Sequence, residues 1–507
     1  MEVHLAGTNL DRELIAALQA GGAVDPDALT PETLSAAYAR ISRDPRPIPE
    51  LRAEARRDVA RARRSNERIV FGFGHASVAE HAVFNFDVLG ISRLVFEALE
   101  ATRLGSYTEK SQRYILLERD VHLPREIAGG PHEARFRDLL DQQRAAYEDA
   151  YARLRARYAA QHPADWQRRS GRAAWEGAAK EDARYFLSLA TTGQVGATFN
   201  ARSLEATVRR LAADPLAEAR ELGEKLHAAV AHVTPSLVRY TAPTPFRRDT
   251  PGALRACECP PTAKSETERE RGSEEGMRPE PAPPAAPGNE SDVRLLHVTP
   301  GAEEMLVAAL LHGCSTRSWA SAREAAARLD PDRRRALVLE SLRRLDAHEP
   351  PLRAYELPVL RFELTVSASC FAQLKRHRLA TLLPQSYDPS LGVTIPASFD
   401  AIGIVPRYRE LCRAVEALWC DLGGEQAAAA AYALTNGHRR RVLFQANARE
   451  LYHFSRLRLD AHAQWDIRAV ATEMIRQARA ALPLVMLLAA GKDGFADVRA
   501  EVFGGES

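Results

Sequence analysis

No stretch of this sequence is long and apolar enough to span a bilayer. The longest apolar run, from Ala480 to Ala490, is interrupted by Pro483 and falls short of the roughly 20 residues a spanning helix needs. A charge excess is also missing. The 69 basic and 67 acidic residues leave a formal charge of +2, which argues against bulk electrostatic binding to nucleic acid. Cysteine is scarce, with 6 residues in 507. The spacing of Cys257, Cys259, Cys314, Cys370, Cys412 and Cys420 gives no disulfide framework. Cys257-Glu-Cys259 lacks a second ligand pair, so no metal site is expected. The first residues, Met1-Glu-Val-His-Leu-Ala-Gly, show no basic region followed by an apolar core. No secretory signal is therefore expected, and a reducing cytoplasm is the expected compartment.

What is present is a globular composition, 45% hydrophobic and 27% charged, in a chain too long for one ordinary core. Most basic residues are Arg, which a GC-rich genome would explain without function. From Arg247 to Ser291 large apolar residues almost vanish. Such a stretch cannot bury enough surface to offset its ordering entropy and reads as a disordered linker, 247–291. It separates a first half, 1–246, from a second, 292–507.

The halves repeat a pattern. Phe84-Asn-Phe86-Asp-Val88 and Leu360-Arg-Phe362-Glu-Leu364-Thr-Val366 both alternate apolar and polar, as half-buried strands do. Each is followed by a helix-like segment leading to an arginine, Arg103 in the first half and Arg376 in the second. Further on, Phe199-Asn-Ala-Arg202-Ser-Leu204 matches Ala446-Asn-Ala-Arg449-Glu-Leu451 in the same order, which points to internal duplication. Elsewhere helices dominate. Thr30 is expected to cap a helix beginning at Pro31. Leu51 to Glu67 reads as a solvated charged helix, and Asn447 to Leu482 is helical in its apolar spacing. The expected fold is α+β, with a sheet in each half packed by several helices.

Four segments carry polar chemistry. Gly74-His75-Ala-Ser77-Val-Ala-Glu80-His81 reads first as a capped helix start, with Ser77 capping and Glu80 three residues on. Arg103-Leu-Gly-Ser106-Tyr-Thr-Glu109-Lys-Ser111-Gln-Arg113-Tyr114 mixes guanidinium forks with hydroxyls. That mixture suits a nucleotide monophosphate, although a surface loop could look the same. Arg376-His377-Arg378 could grip a ligand from a helix end or be a solvated basic turn. In Arg458-Leu-Asp-Ala-His462-Ala-Gln464, Arg458 and His462 would share a face of a continuous helix.

Taken together and in this order, these segments resemble the flavin-dependent thymidylate synthases. That family shows H-x-S-x-x-E-H before a strand, R-H-R-x-x-S-x-N-E-x-S-x-R-Y after it, then N-A-R-S-L and L-R-x-x-x-H-A-Q. The copies depart from the pattern in different places. Ala101-Thr102-Arg103 stands at R-H-R in the first half, and Leu211 where the later Arg belongs. In the second half Pro384, Asp388 and Pro389 replace Glu, Arg and Tyr, and Ala431 stands where Arg184 does in the first.

The resemblance implies FAD as cofactor, NADPH and methylenetetrahydrofolate as co-substrates, and dUMP as substrate. It implies sites composed from both copies, in a homodimer that mimics the family tetramer. Glu109, Ser111, Arg113, Arg184, Gln373 and Arg376 would meet the nucleotide. His377, Arg378, Asn447, Arg449, His462 and Gln464, with Asn200 and Arg202, would hold the flavin. Arg458 would contact the uracil and favour its ionised form. Because the losses are unequal, two alternatives stand beside this: action on another pyrimidine nucleotide, or nucleotide binding without turnover. RNA binding is disfavoured by the small net charge and the absence of stacking aromatics among the arginines.

Overall fold

The computed structural model describes residues 1–116, 120–257, 292–423 and 426–504. It is an α+β protein with two four-stranded antiparallel sheets. In the first, β1 (Glu2–Thr8), β2 (Val83–Ser92), β3 (Gly105–Glu109) and β4 (Thr192–Asn200) lie in the order β1-β2-β4-β3. In the second, β5 (Val293–Val298), β6 (Val359–Ser367), β7 (Thr381–Pro384) and β8 (Arg439–Asn447) repeat that order, β5-β6-β8-β7. Both edge pairs slip at the same place, between Leu5 and Gly7 and between Leu295 and His297. The alternation seen in sequence is the cause of the burial. Phe84, Phe86 and Val88 face one core, and Leu360, Phe362, Leu364 and Val366 face the other.

The helices that matter below are α1 (Arg93–Glu100), α2 (Glu133–Gln161), α3 (Arg169–Ala183), α4 (Ala201–Leu211), α5 (Ala217–Val230), α6 (Ala368–Leu374), α7 (Val405–Asp421), α8 (Ala448–Arg458) and α9 (Trp465–Ala481). Matching helices start with matching caps. Ser92 accepts from the Val95 N–H at 3.1 Å, and Ser367 from the Cys370 N–H at 2.9 Å. Asn200 accepts from Ser203 and Asn447 from Glu450, each at 2.8 Å. Each side chain satisfies an N–H that the first helical turn leaves open.

Two compact units result, and they do not follow the sequence halves. The first comprises Met1–Ala145, the described part of Leu187–Pro283, and the described part of Arg413–Ala433. The second comprises Ala146–Phe186, the described part of Pro284–Cys412, and Leu434–Ser507. Helix α2 passes from the first unit to the second at Ala145/Ala146, and α7 passes back at Cys412/Arg413. Each half therefore lends a segment to the unit built on the other half's sheet.

A buried carboxylate receives the lent segment in each case. In the first unit Glu218, at the start of α5, accepts from the Ser92 N–H (2.7 Å) and hydroxyl (2.6 Å) and from the Tyr432 phenol (2.7 Å). In the second, Asp466 at the start of α9 accepts from the Ser367 hydroxyl (2.5 Å) and the Tyr185 phenol (2.9 Å). Burial raises the Asp466 carboxyl above its ordinary range and Tyr185 well above its own. The lent segments add further contacts. Gln143 donates to the Ala433 carbonyl at 2.7 Å in the first unit. In the second, Asp182 accepts from Ser398 at 2.6 Å and from the Trp465 indole at 2.8 Å.

Several local expectations need correction. Residues 51–67 form two helices, Ile48–Arg57 and Val59–Asn66, with Asp58 between them. Leu51 and Ala62 are buried in a small core with Ala36 and Ala37, so this segment is not merely a solvated face. Thr30 does accept from the Glu32 N–H at 3.2 Å, although the helix itself begins at Glu32. The expected linker lies outside the described residues from 258 to 291, but its beginning does not. Pro245–Cys257 is helical despite Pro251.

Removing either exchanged phenol leaves a buried carboxylate one donor short. Tyr185→Phe and Tyr432→Phe should each cost about 1–3 kcal/mol, read as a lower urea midpoint. An unchanged midpoint for both would remove the carboxylates from their holding role.

Candidate functional site

The second unit brings Gln373, Arg376, His377, Arg378 and Arg458 together at the C-terminal end of α6. That helix stops at Leu374, and Arg376-His377-Arg378 form the turn beyond it. Arg458, the last residue of α8, reaches across to this turn. Its Nε donates to His377 Nε2 at 2.8 Å, Nη1 to Gln373 Oε1 at 3.2 Å, and Nη2 to the Gln373 carbonyl at 3.0 Å. The cation thereby also satisfies an acceptor at a helix C-terminus, where positive charge is favoured. Gln373 Nε2 is a buried donor with no hydrogen-bond partner among the described residues.

His377 is only 2% exposed and packs edge-on against Phe454 at 4.7 Å. Burial, reinforced by the Arg458 charge, pulls its pKa well below the ordinary imidazole value. A neutral ring is also what the geometry requires, because an arginine can only donate and Nε2 must accept. Arg376 is exposed beside it, and Arg378 is half-buried.

Arg184 enters this unit from the first half of the sequence. It is 6% exposed, and its carbonyl accepts from Asn436 at 3.0 Å. The adjacent Tyr185 phenol accepts from Gln464 Nε2 at 3.0 Å, while Gln464 Oε1 caps α9 through the Asp466 and Ile467 N–H groups. Burial, then the Asp466 charge, raises the Cys370 thiol well above its ordinary value against the smaller opposing pull of Arg458, Arg439 and Arg184.

The other expected residues of this unit have structural partners. Asn447 caps α8. Arg449 donates to the Pro351 carbonyl at 2.8 Å and to Glu356 at 3.2 Å. His462 does not share a helical face with Arg458, because α8 ends at Arg458. It lies in the turn beyond, 93% exposed, with Nδ1 2.8 Å from Asp460.

The first unit holds the remaining expected residues. Glu109 closes β3 and pairs with the buried Arg93 at 2.5 Å. Ser111 Oγ accepts from the Arg113 N–H at 3.1 Å, and the Arg113 guanidinium lies 5.5 Å from the Tyr114 ring centre. Asn200 caps α4, and Arg202 pairs with Glu80 at 2.6 Å.

Ser77 does not cap a helix. The 3₁₀ turn Ala76–His81 begins after His75 with no side-chain cap. Instead His75 and Ser77 line a cavity of about 280 Å³ with Tyr38, Ser42, Arg43 and Phe73. The H-x-S-x-x-E-H motif itself was the signal for these two side chains, and the capping reading hid it. Glu450, 3.4 Å from His377 Nδ1, was not among the expected residues.

With this geometry in view, the chain can be placed among known proteins. The model of the Thy1 family, thymidylate synthase complementing protein, matches it twice, over residues 27–236 and 294–484. The chain belongs to this family. A flavin-dependent thymidylate synthase from Clostridium tetani is 28% identical over 192 residues, 37% of this chain and 74% of that protein. One from Geobacter sulfurreducens is 30% identical over 198 residues, 36% of this chain and 68% of its own length. A UPF0159 protein from Chlamydia muridarum is 24% identical over 422 residues and aligns along most of both chains, 81% of this one and 77% of its own.

The buried, neutral His377 has a consequence for pH. Its folded pKa lies below the ordinary unfolded value of about 6.5, so its contribution is complete above that pH and is lost as pH falls. His377→Gln keeps an acceptor for Arg458 without titrating. The wild type should therefore lose urea resistance relative to this variant on acidification below about pH 6.5. Parallel pH profiles for the two proteins would contradict it.

Proposed function

We propose that this chain is a flavin-dependent thymidylate synthase, converting dUMP to dTMP by reductive methylation at C5, with residues of both copies serving the reaction. One observation carries the reading. The clamp of Arg458, His377 and Gln373 lies in one compact unit with Arg184, which the other sequence half supplies. Under this reading 1–246 and 292–507 are the two copies of a duplicated domain, and two chains pair as a homodimer.

The donor set suits a nucleotide and a flavin dinucleotide in kind. Gln373 Nε2 is a buried N–H without a partner among the described residues. Arg376, Arg378 and His462 present cationic or N–H donors with exposed or half-exposed side chains. Guanidinium forks match phosphate oxygens, and the buried neutral His377 adds no further charge to desolvate. When bound, FAD reduced by NADPH supplies the hydride, and methylenetetrahydrofolate the carbon.

The protein's part is orientation and charge. Arg376, Arg378, His377, Asn447, Arg449, His462 and Gln464 would hold the flavin, and Asn200 and Arg202 would serve it from the first unit. Ser111 and Arg113 would bind the dUMP phosphate, with Glu109 beside them and Arg184, Gln373 and Arg376 completing the nucleotide contacts. Arg458 would stabilise negative charge on the pyrimidine, favouring the ionised N3 form that makes C5 nucleophilic. Its three hydrogen bonds fix the guanidinium before substrate arrives.

A second reading is favoured by the substitutions themselves. Ala101, Thr102 and Leu211 in the first copy, with Pro384, Asp388 and Pro389 in the second, remove groups that the family pattern uses. A protein so altered would act on another pyrimidine nucleotide, or bind nucleotide as a regulator.

The purified protein should be yellow and form dTMP from dUMP, methylenetetrahydrofolate and NADPH. Arg376→Ala and Arg113→Ala should each lower that rate by about a hundredfold or more. Loss from only one of them would show that the copies do not share the work. A colourless protein that binds neither FAD nor dUMP would overturn the reading, and failure to complement a thymidine auxotroph would favour the second.

A further inference from the structure

Glu450 stands three residues after the cap of α8, where the first copy has Ser203. Its side chain is 4% exposed, and Oε1 lies 3.4 Å from His377 Nδ1. That nitrogen is buried and makes no hydrogen bond among the described residues, and the Glu450 carboxylate approaches it at ion-pair distance. The opposite nitrogen, Nε2, accepts from Arg458.

The first copy offers an internal comparison. Thr102 stands at the position of His377, and Leu211 at that of Arg458. Thr102 Oγ1 instead meets the Thr207 hydroxyl at 2.7 Å and Arg210 Nη2 at 3.1 Å. Carboxylate, imidazole and guanidinium are thus present together in one copy and replaced together in the other.

We propose that Glu450 is a positioning residue that holds His377 with its proton on Nδ1, so that Nε2 accepts from Arg458 and locks the guanidinium against the end of α6. A neutral imidazole has one donor and one acceptor. Arg458 demands the acceptor on Nε2, and a carboxylate beside Nδ1 rewards the donor there. Partners of this kind decide which ring nitrogen carries the proton.

The arrangement also depends on which form Glu450 takes. Burial raises its pKa to about 7. Once protonated, Glu450 can donate to Nδ1, which moves the ring proton to Nε2 and sets two N–H groups against each other at Arg458. Among the described residues, Lys375, Arg376 and Arg378 flank His377 in the same turn, and the Cys370 thiol of α6 is under the influence of Arg458. His453 lies 5.9 Å from the His377 ring, and Arg458 acts on both histidines. On the packed elements, Glu356 is taken by Arg353 and Arg449, Arg439 pairs with Asp292, and Asp466 is held by Ser367 and Tyr185.

The test is a two-bond ¹H–¹⁵N spectrum of the full chain labelled at histidine, followed from about pH 6 to about pH 9, with His377 assigned by its loss in His377→Gln. Wild-type protein should show the Nδ1–H form at high pH, giving way to Nε2–H as pH falls through about 7. Glu450→Gln should keep Nδ1–H at every pH, since its amide oxygen accepts without titrating. Glu450→Leu should lose that preference. A wild-type ring protonated on Nε2 throughout overturns the proposal, as does an unaltered spectrum in Glu450→Leu. If the leucine variant does not fold, a glutamine variant that still follows the wild-type pH course overturns it.

The consequence for catalysis rests on the function proposed above. Glu450→Leu should lower kcat/KM for dUMP about tenfold, with recovery in Glu450→Gln. If no dTMP forms in any variant, that function fails, while the spectra still decide the role of Glu450.

Discussion

A buried carboxylate at the start of one helix holds each unit together. Glu218 and Asp466 each join a serine at the end of a central strand to a tyrosine from the other half of the sequence. An ionisable group in such surroundings is expensive to desolvate, and its cost is offset only while every donor is in place. The serine caps the helix after the strand, and the tyrosine anchors the lent segment. In the second unit the neighbouring Arg184 arrives with Tyr185, its carbonyl held by Asn436. A single hydrogen-bonded node thus links strand end, helix start and the segment that carries Arg184.

The fold was legible in sequence wherever local pattern governs. Alternation marked β2 and β6, the repeated Asn-Ala-Arg marked the entry to α4 and α8, and the repeat order anticipated two sheets of one topology. The exchange of segments was not legible. Periodicity shows which face of α3 or α7 is apolar, but not which sheet it covers, and only the long-range bonds to Glu218 and Asp466 decide that. The failures at the site were likewise a matter of ends. Spacing placed Arg458 and His462 on one face, but the helix stops between them and Asp460 takes the imidazole. Ser77 had the sequence of a cap, yet the turn already starts at Ala76, so Ser77 lies inside it.

The two copies have diverged in how they spend charge. The second keeps a cationic turn and supports it with a neutral imidazole and a buried acid. In the first, the same positions hold a threonine, a leucine and a serine, and the Thr102 hydroxyl meets Thr207 and Arg210. Such replacements are coupled, because removing one member of a buried polar set leaves the others unsatisfied. Positions 377, 450 and 458 on one side and 102, 203 and 211 on the other are thus filled by two different sets.

The passage of α2 and α7 from one unit to the other bears on how such a gene can evolve. Each copy encodes a protein's worth of sheet but not a self-sufficient body, since the phenol that completes its carboxylate node lies in the other copy's reading frame segment. Deleting either half would leave the other's carboxylate without its tyrosine. Side chains that no node depends on can then change in either half while the shared architecture is kept.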